Sequence, residues 1–374
     1  DLREWIAEAD RLGELRIVKG ASWQEEIGMA ATLVSHSDDA PALLFDEVPG
    51  CTKGFRVLVN LFGGKRKNMS LGYADSDFDK VELSEAFAKI YPDGIELIPP
   101  VDVDDGPIFE NIMLDDEVDL EVFPTPIWHK NDGGRYIGTG SYHVTRDPDT
   151  GWVNLGSHRI MIYDCKTVGH NLQPGRHAGY HQEKYVARGE RMPMVMVVGG
   201  DPMTFFMGGA DVPLGVSELD MVGGLRGRPL EVVRGKVTGL PIPANAEIAL
   251  EGYVDLERTE VEGPFGDWTG TYTEKGRRNP VVDVKAVYYR NDPIILGFPP
   301  QSLPDEYSRF RAITRSPTLK ANLEKAGVPD VKAVWCHEVG GSRMLLAVTI
   351  TQRYPGHATQ AGHVASMCQA GNSA

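Results

Sequence analysis

Met194-Val-Met-Val-Val198, Ile248-Ala-Leu-Glu-Gly-Tyr-Val254 and Val281-Val-Asp-Val-Lys-Ala-Val-Tyr-Tyr289 decide how this chain is read. Each run is short and rich in the β-branched and aromatic residues that suit a pleated, half-buried surface. Such runs recur between residues 124 and about 300, with Gly and Pro between them and no long helical period. That punctuation predicts a β-rich barrel or sandwich over 121–300. Polar residues gather in its turns, and loops on a rigid β scaffold are where binding and catalytic groups tend to sit.

On the N-terminal side, Leu2, Trp5, Ile6, Ala9 and Leu12 recur at helical spacing, and Gly13 follows as a stop. Ile27, Ala30, Ala31 and Val34 repeat the pattern, and apolar runs follow at 42–45 and 56–59. Residues 1–120 therefore read as a small α/β part. On the C-terminal side, Tyr307, Phe310 and Ile313 share a helical stripe after Pro304, which 322–327 extend beyond Pro317. Residues 343–350 read as a strand and 359–374 as a helix, so 301–374 is a linker helix and the start of a further α/β unit.

Composition narrows the function. A chain of 374 residues with 41% hydrophobic and 24% charged residues is long enough for two or three packed units. The formal net charge of −15 repels phosphate backbones, so nucleic acid is not an expected partner. Cys51, Cys165, Cys336 and Cys368 are widely spaced with no C-x-x-C pair, as expected of reduced thiols in a cytoplasmic protein. No apolar run is long enough to span a bilayer, and no signal peptide is visible.

Two constellations carry chemistry. Asn154 and Arg159 lie in one strand-like run ending at Tyr163, and His177 follows in the turn Gln173-Pro-Gly-Arg-His177. With the carboxylate of Glu218, in Gly215-Val-Ser-Glu218, the Asn oxygen and His nitrogen make a mixed oxygen/nitrogen set suited to manganese or magnesium. Spacing alone leaves solvated or helix-capping roles open for all three. The second constellation is Glu262-Gly-Pro-Phe-Gly-Asp267, where two carboxylates flank a rigid turn that can aim both into one cavity. Carboxylates brought together acquire separated proton affinities, which suits one of them to hold a proton, and a cation such as Arg159 would keep its partner ionised. A surface turn with two solvated acids is the competing reading. The stretches Trp128-His-Lys-Asn-Asp-Gly-Gly-Arg-Tyr-Ile-Gly-Thr139 and Arg353-Tyr-Pro-Gly-His357 are also dense in polar residues and glycine, and neither fits a phosphate loop or a dinucleotide fingerprint. Met207-Gly-Gly-Ala is too short to be a phosphate loop.

In common order and spacing, these pieces resemble the UbiD family of prenylated-flavin-dependent decarboxylases, which includes the ferulic acid decarboxylases. The resemblance runs over essentially the whole chain. It implies an N-terminal α/β part, a central split β-barrel flavin-binding domain and a C-terminal α/β oligomerisation domain. It implies that Asn154, His177 and Glu218 are manganese ligands bridging to the phosphate of prenylated FMN, with a potassium ion nearby. Ser157, His158, Arg159 and Arg176 are implied as further cofactor-binding residues, and Arg159, Glu262 and Asp267 as the catalytic network. The family's last member there is glutamate; Asp267 is one methylene shorter. The implied reaction is reversible, non-oxidative loss of carbon dioxide from an aromatic, heteroaromatic or α,β-unsaturated acid bonded covalently to the cofactor, with Asp267 as proton donor. A flavin prenyltransferase would supply the cofactor, and a homodimer or homohexamer is the implied assembly. Residues 301–311 fall where the family contacts substrate, and Arg311 could pair there with a second acidic group. Family members continue beyond the position of Ala374, with a lysine near the flavin phosphate and a dimerising helix. The rival readings are an FMN oxidoreductase on a split barrel and a non-catalytic flavin carrier; neither requires Asp267 as an acid.

Overall fold

The amphipathic opening forms the helix Leu2–Arg11, with Leu2, Trp5 and Ala9 buried and Asp1 capping it through Glu4 N. This computed structural model describes residues 1–91, 94–171, 175–210, 212–272 and 275–368. The second helical pattern is Glu26–Ser35. Between and after these helices, strands Leu15–Lys19, Ala42–Asp46 and Arg56–Val59 pair in that order, and Ile294–Gly297 joins the free side of Arg56–Val59 in parallel. The small N-terminal sheet is thus completed by a strand some two hundred residues further along the chain.

The three runs that decided the reading lie in one antiparallel sheet. Its order is Thr167–Gly169, Arg277–Tyr289, Ile248–Glu262, Pro193–Val198, Ser141–Arg146 and Val153–Gly156, with Asn111–Leu114 also paired to Arg277–Tyr289. The architecture is mixed α/β with open sheets: among the described residues this ladder does not return from Val153–Gly156 to Thr167–Gly169. Strand alternation sorts its side chains onto two faces. Tyr142, Val144, Leu155, Val195 and Val197 join one buried cluster with Phe205 and Leu219, while Met194, Met196, Val198 and Leu250 join another with Tyr136 and Phe265.

The helix Glu306–Lys325 is continuous through Pro317. A proline there leaves the carbonyl four residues earlier without its helical partner. That carbonyl belongs to Ile313, and it accepts the Ser84 hydroxyl at 2.9 Å instead. The strand Val331–Cys336 follows and pairs antiparallel with Leu346–Ile350, which starts at Leu346 rather than the expected 343 because Ser342 to Leu345 turn back onto Gly340 and His337. The last helix is His357–Met367, and residues 369–374 of the expected 359–374 helix lie outside the described residues. Leu319, Leu323, Val334, Cys336 and Ala361 form a separate small core here. All four cysteines are free thiols. Among the described residues no helix is long and apolar enough to cross a membrane.

Candidate functional site

Glu262 ends the strand Ile248–Glu262 and is only 2% exposed. A carboxylate this deep must be matched by donors or a cation. Arg159 supplies both, with Nε donating to Oε1 and Nη2 to Oε2, each at 2.7 Å. This two-pronged geometry is the strongest form of the pair. Arg159 stands in the break between Val153–Gly156 and Ile160–Met161, so it is the chain's departure from regular pairing that turns it toward Glu262. Three neutral donors complete the shell. The Tyr136 hydroxyl reaches Oε1 at 2.7 Å, while Asn171 and Asn279 reach Oε2 at 3.2 and 3.4 Å. Phe265 lies under the Arg159 guanidinium at 5.1 Å and packs on Tyr136 with ring centroids 4.1 Å apart.

The Gly-Pro-Phe-Gly turn is docked on the second unusual stretch of the sequence. Gly133 N donates to the Pro264 carbonyl and Gly266 N to Asp132 Oδ1. A β-carbon on Gly133 would sit 2.1 Å from the Gly263 carbonyl oxygen, and one on Gly266 would sit 2.6 Å from the His129 ring. Glycine is therefore required at both positions by close approach. Asp132 also accepts His129 N, and His129 Nε2 meets the Pro300 carbonyl at 2.8 Å. Asp267 leaves this turn half-buried, with Oδ1 accepting Trp268 N at 2.8 Å and its backbone bonded to Thr271 and Gly270.

The other trio is assembled from one strand and two helix starts, not from loops. Asn154 is buried on the strand Val153–Gly156, and its Oδ1 meets His177 Nδ1 at 3.2 Å. His177 opens the helix His177–Arg188, and Glu218 opens Glu218–Arg226. Helix starts favour negative charge and present unpaired N–H groups, which suits an anion held there. Glu218 is 2% exposed, accepts Leu155 N at 2.7 Å, and is pushed up to about 8 by burial. The Ser217 hydroxyl beside it is buried without a partner. Among the described residues no three of His, Cys, Asp and Glu converge as a metal site; this trio holds two residues of those types. A cleft of about 880 Å³ opens alongside, lined by Trp152, Gly215, Ser217 and Leu219 but by none of Arg159, Glu262 and Asp267.

The remaining expected residues lie on several separate parts of the fold. Ser157 N donates to the Gly208 carbonyl, and its hydroxyl meets the Phe205 carbonyl at 3.4 Å. Met207 and Gly208 end the helix Pro202–Gly208, so this segment presents a helix C-terminus to Ser157. Arg176 is exposed at the N-cap of His177–Arg188, and Gln173 and Pro174 of the expected turn lie outside the described residues. His158 faces inward beside His143 and His170, with ring centroids 5.1 Å (His143–His158) and 5.8 Å (His143–His170) apart. Burial holds His158 down to about 3, His170 down to about 4, and His143 well below its ordinary value. Both His143 ring nitrogens lack a partner. Arg311 lies over the Tyr307 ring at 4.3 Å, with a buried Nη1 that makes no hydrogen bond. Arg353 is tied to Asp330, and its backbone N donates to the buried His357 ring, so this turn serves the C-terminal unit.

Tyr136, Asn171, Asn279, His129 and Asp132 were not singled out as site residues by sequence reasoning. The 129, 132 and 136 positions lie inside a stretch that stood out for composition, which was the one available signal.

Three family models match the chain in succession: the 3-octaprenyl-4-hydroxybenzoate carboxy-lyase N-terminal domain over 6–83, its Rift-related domain over 100–302, and its C-terminal domain over 308–373. The chain is 33% identical over 348 residues to pyrrole-2-carboxylic acid decarboxylase of Pseudomonas aeruginosa, covering 90% of this chain and 68% of that protein. It is 29% identical over 375 residues to phenolic acid decarboxylase of a Streptomyces species, covering 97% and 76% respectively. Among solved structures, an evolved dimeric form of the UbiD-class enzyme HmfF from Pelotomaculum thermopropionicum, in complex with prFMN, superposes with a TM-score of 0.86 at 27% identity, covering 100% of this chain and 83% of that one. Vanillic acid decarboxylase of Sedimentibacter hydroxybenzoicus gives 0.85 at 25% identity, covering 100% and 78%. The chain belongs to the UbiD family of carboxy-lyases.

Proposed function

We propose that this enzyme catalyses reversible, non-oxidative decarboxylation of an aromatic, heteroaromatic or α,β-unsaturated carboxylic acid on prenylated FMN. The observation that carries the reading is the two-pronged Arg159–Glu262 pair set beside the docked turn that ends at Asp267. The arrangement orients a cation for a carboxylate and keeps a second acid close by in sequence.

The phosphate side fits a metal. Glu218 is a buried carboxylate raised chiefly by burial, with the Asp220 charge adding to it, and a divalent cation would offset that cost. Asn154, His177 and Glu218 would hold manganese or magnesium, and the cation would take the flavin phosphate. Ser157, His158 and Arg176 would complete the cofactor's surroundings, with potassium nearby, in a split-barrel domain. When bound, the prenylated flavin supplies the electron sink for cleavage of the carbon–carboxyl bond.

The chain's own residues do the rest. Arg159, immobilised on its Nε and Nη2 edge, is oriented before the substrate carboxylate arrives, so little ordering is left to binding. Glu262 balances its charge. As carbon dioxide leaves, the bonding pair stays on the substrate carbon, and the Asp267 carboxyl proton goes to that carbon. The half-buried turn lets Asp267 regain a proton from solvent. Arg311, with its buried unpartnered Nη1, would meet a second acidic group on the substrate. A homo-oligomer and a cytoplasmic setting belong to the same reading, the latter supported by the four free thiols.

The test is the chain co-expressed with a flavin prenyltransferase, loaded with manganese, and offered a panel of such acids with carbon dioxide detection. Turnover of at least one acid is expected. Cofactor-loaded protein that releases carbon dioxide from none of them removes the proposal.

A further inference from the structure

Five hydrogen bonds end on one carboxylate, and only two come from its ionic partner. The other three come from neutral side chains on three separate parts of the chain. Tyr136 is fully buried on the strand Tyr136–Gly138, with its own carbonyl fixed by Trp128 Nε1 at 2.9 Å and its ring held by Phe265. Its proton is secured, because burial and the negative charge of Glu262 both raise the phenol above its ordinary range. Tyr136 is therefore a donor to Oε1 at every working pH. On the opposite oxygen, Asn279 is oriented from behind: Arg277 Nε donates to its Oδ1 at 3.1 Å, which turns Nδ2 toward Glu262. Asn171 adds a second donor to the same oxygen.

We infer that Tyr136 is a positioning residue: its hydroxyl, opposed by Asn171 and Asn279, locks the Glu262 carboxylate in place against the Arg159 guanidinium. Glu262 then acts as a fixed counter-charge to Arg159. That division leaves Asp267 as the acid of the turn. The charged and titratable groups facing Glu262 are Arg159 from the break after Val153–Gly156, Tyr136, Tyr163 beyond Ile160–Met161, and Arg277 across the ladder; Asp132 stands behind Tyr136. The Tyr163 hydroxyl is buried without a partner, so it does not share this load.

This inference rests on the proposed activity, and its test separates the two. Tyr136→Phe keeps the ring, its packing on Phe265 and the backbone bond to Trp128, and deletes one charge-assisted hydrogen bond. Such a bond corresponds to about a 10- to 100-fold effect. The expected result is a fall in kcat/KM of that size that deepens toward acid pH, because a carboxylate with one donor fewer takes up a proton more readily. Asn171→Ala, at a half-buried position, is expected to shift the profile in the same direction. Flavin-free protein gives a second readout: the infrared carbonyl band of a protonated carboxyl, assigned by its loss in Glu262→Gln, should appear at higher pH in Tyr136→Phe than in the parent. A fall in kcat/KM that is the same at all pH values, with the infrared band unmoved, makes Tyr136 merely structural and overturns the inference. A parent with no activity on any acid would remove the activity while leaving the infrared comparison to decide this point.

Discussion

Replacing Glu262 by glutamine changes one oxygen to nitrogen and alters little else in shape. Its consequence can be worked from the contacts. Oε1 receives Tyr136 and Arg159 Nε; Oε2 receives Arg159 Nη2, Asn171 and Asn279. A glutamine amide nitrogen placed at Oε2 would confront three donors, and the flipped amide would confront two. Neither orientation satisfies the shell, and the Arg159 charge loses its partner. Breaking a buried pair from one side costs about 3–5 kcal/mol, and the lower end applies here because the Arg159 side chain is 31% exposed. About 3 kcal/mol is therefore the expected loss of stability, read as a lower urea midpoint with an unchanged slope. Misalignment of Arg159 adds a loss of activity of about 100-fold or more, since each 1.4 kcal/mol or so is a factor of ten. The assays are urea titration of the flavin-free protein and initial rates of carbon dioxide release from the loaded one. A Glu262→Gln protein with the parent midpoint and a rate within about twofold would refute the argument that the donors compel a carboxylate.

Other expectations follow from the same geometry. Asp267→Asn abolishes turnover while flavin and metal stay bound; full activity in that variant removes Asp267 as the acid and favours a carrier or an oxidoreductase. On the proposed metal trio, Glu218→Ala is expected to purify without flavin, and stoichiometric flavin without metal would count against the trio. Glu218 is raised to about 8, so a cation must displace its proton below that pH; manganese should raise the melting temperature more at pH 8 than at pH 6, and an equal effect at both would contradict it. His143, His158 and His170 are held neutral in the fold and charge when it opens. Their folded values lie below the unfolded one, so the stability they contribute is present above about pH 6.5 and is lost as pH falls toward 4. Three protons give a slope of up to about 4 kcal/mol per pH unit in that window, and His143→Leu should remove about a third of it. Equal slopes in the two proteins would show that His143 is not held neutral.

The sheet was legible because its strands are short, β-branched and marked off by Gly and Pro, a pattern that needs no tertiary information. The helix Glu306–Lys325 was legible on both sides of Pro317, but not its continuity, which depends on a serine hydroxyl more than two hundred residues away accepting the role of the missing N–H. The pairing of Arg159 with Glu262 was visible as a chemical possibility and emerges as a contact. Tyr136, Asn171 and Asn279 were not visible, because a neutral side chain carries no sign of its partner until packing brings them together. Asn154 was read on a strand-like run, which the structure keeps, but local sequence does not reveal that His177 and Glu218 begin helices, since neither Arg176 nor Ser217 caps its helix with a side-chain bond.

Asn154 and Arg159 share one short run of chain, the strand Val153–Gly156 and the break after it. Five residues fully extended reach about 16 Å at most. On the proposed assignment Asn154 marks the phosphate end of the flavin and Arg159 the reacting end, and the covalent chain caps the distance between the two marks. A flavin whose side chain lacks the phosphate can meet the reacting mark but not the other. Selection among flavins would then be enforced by length, before any chemistry at the ring begins.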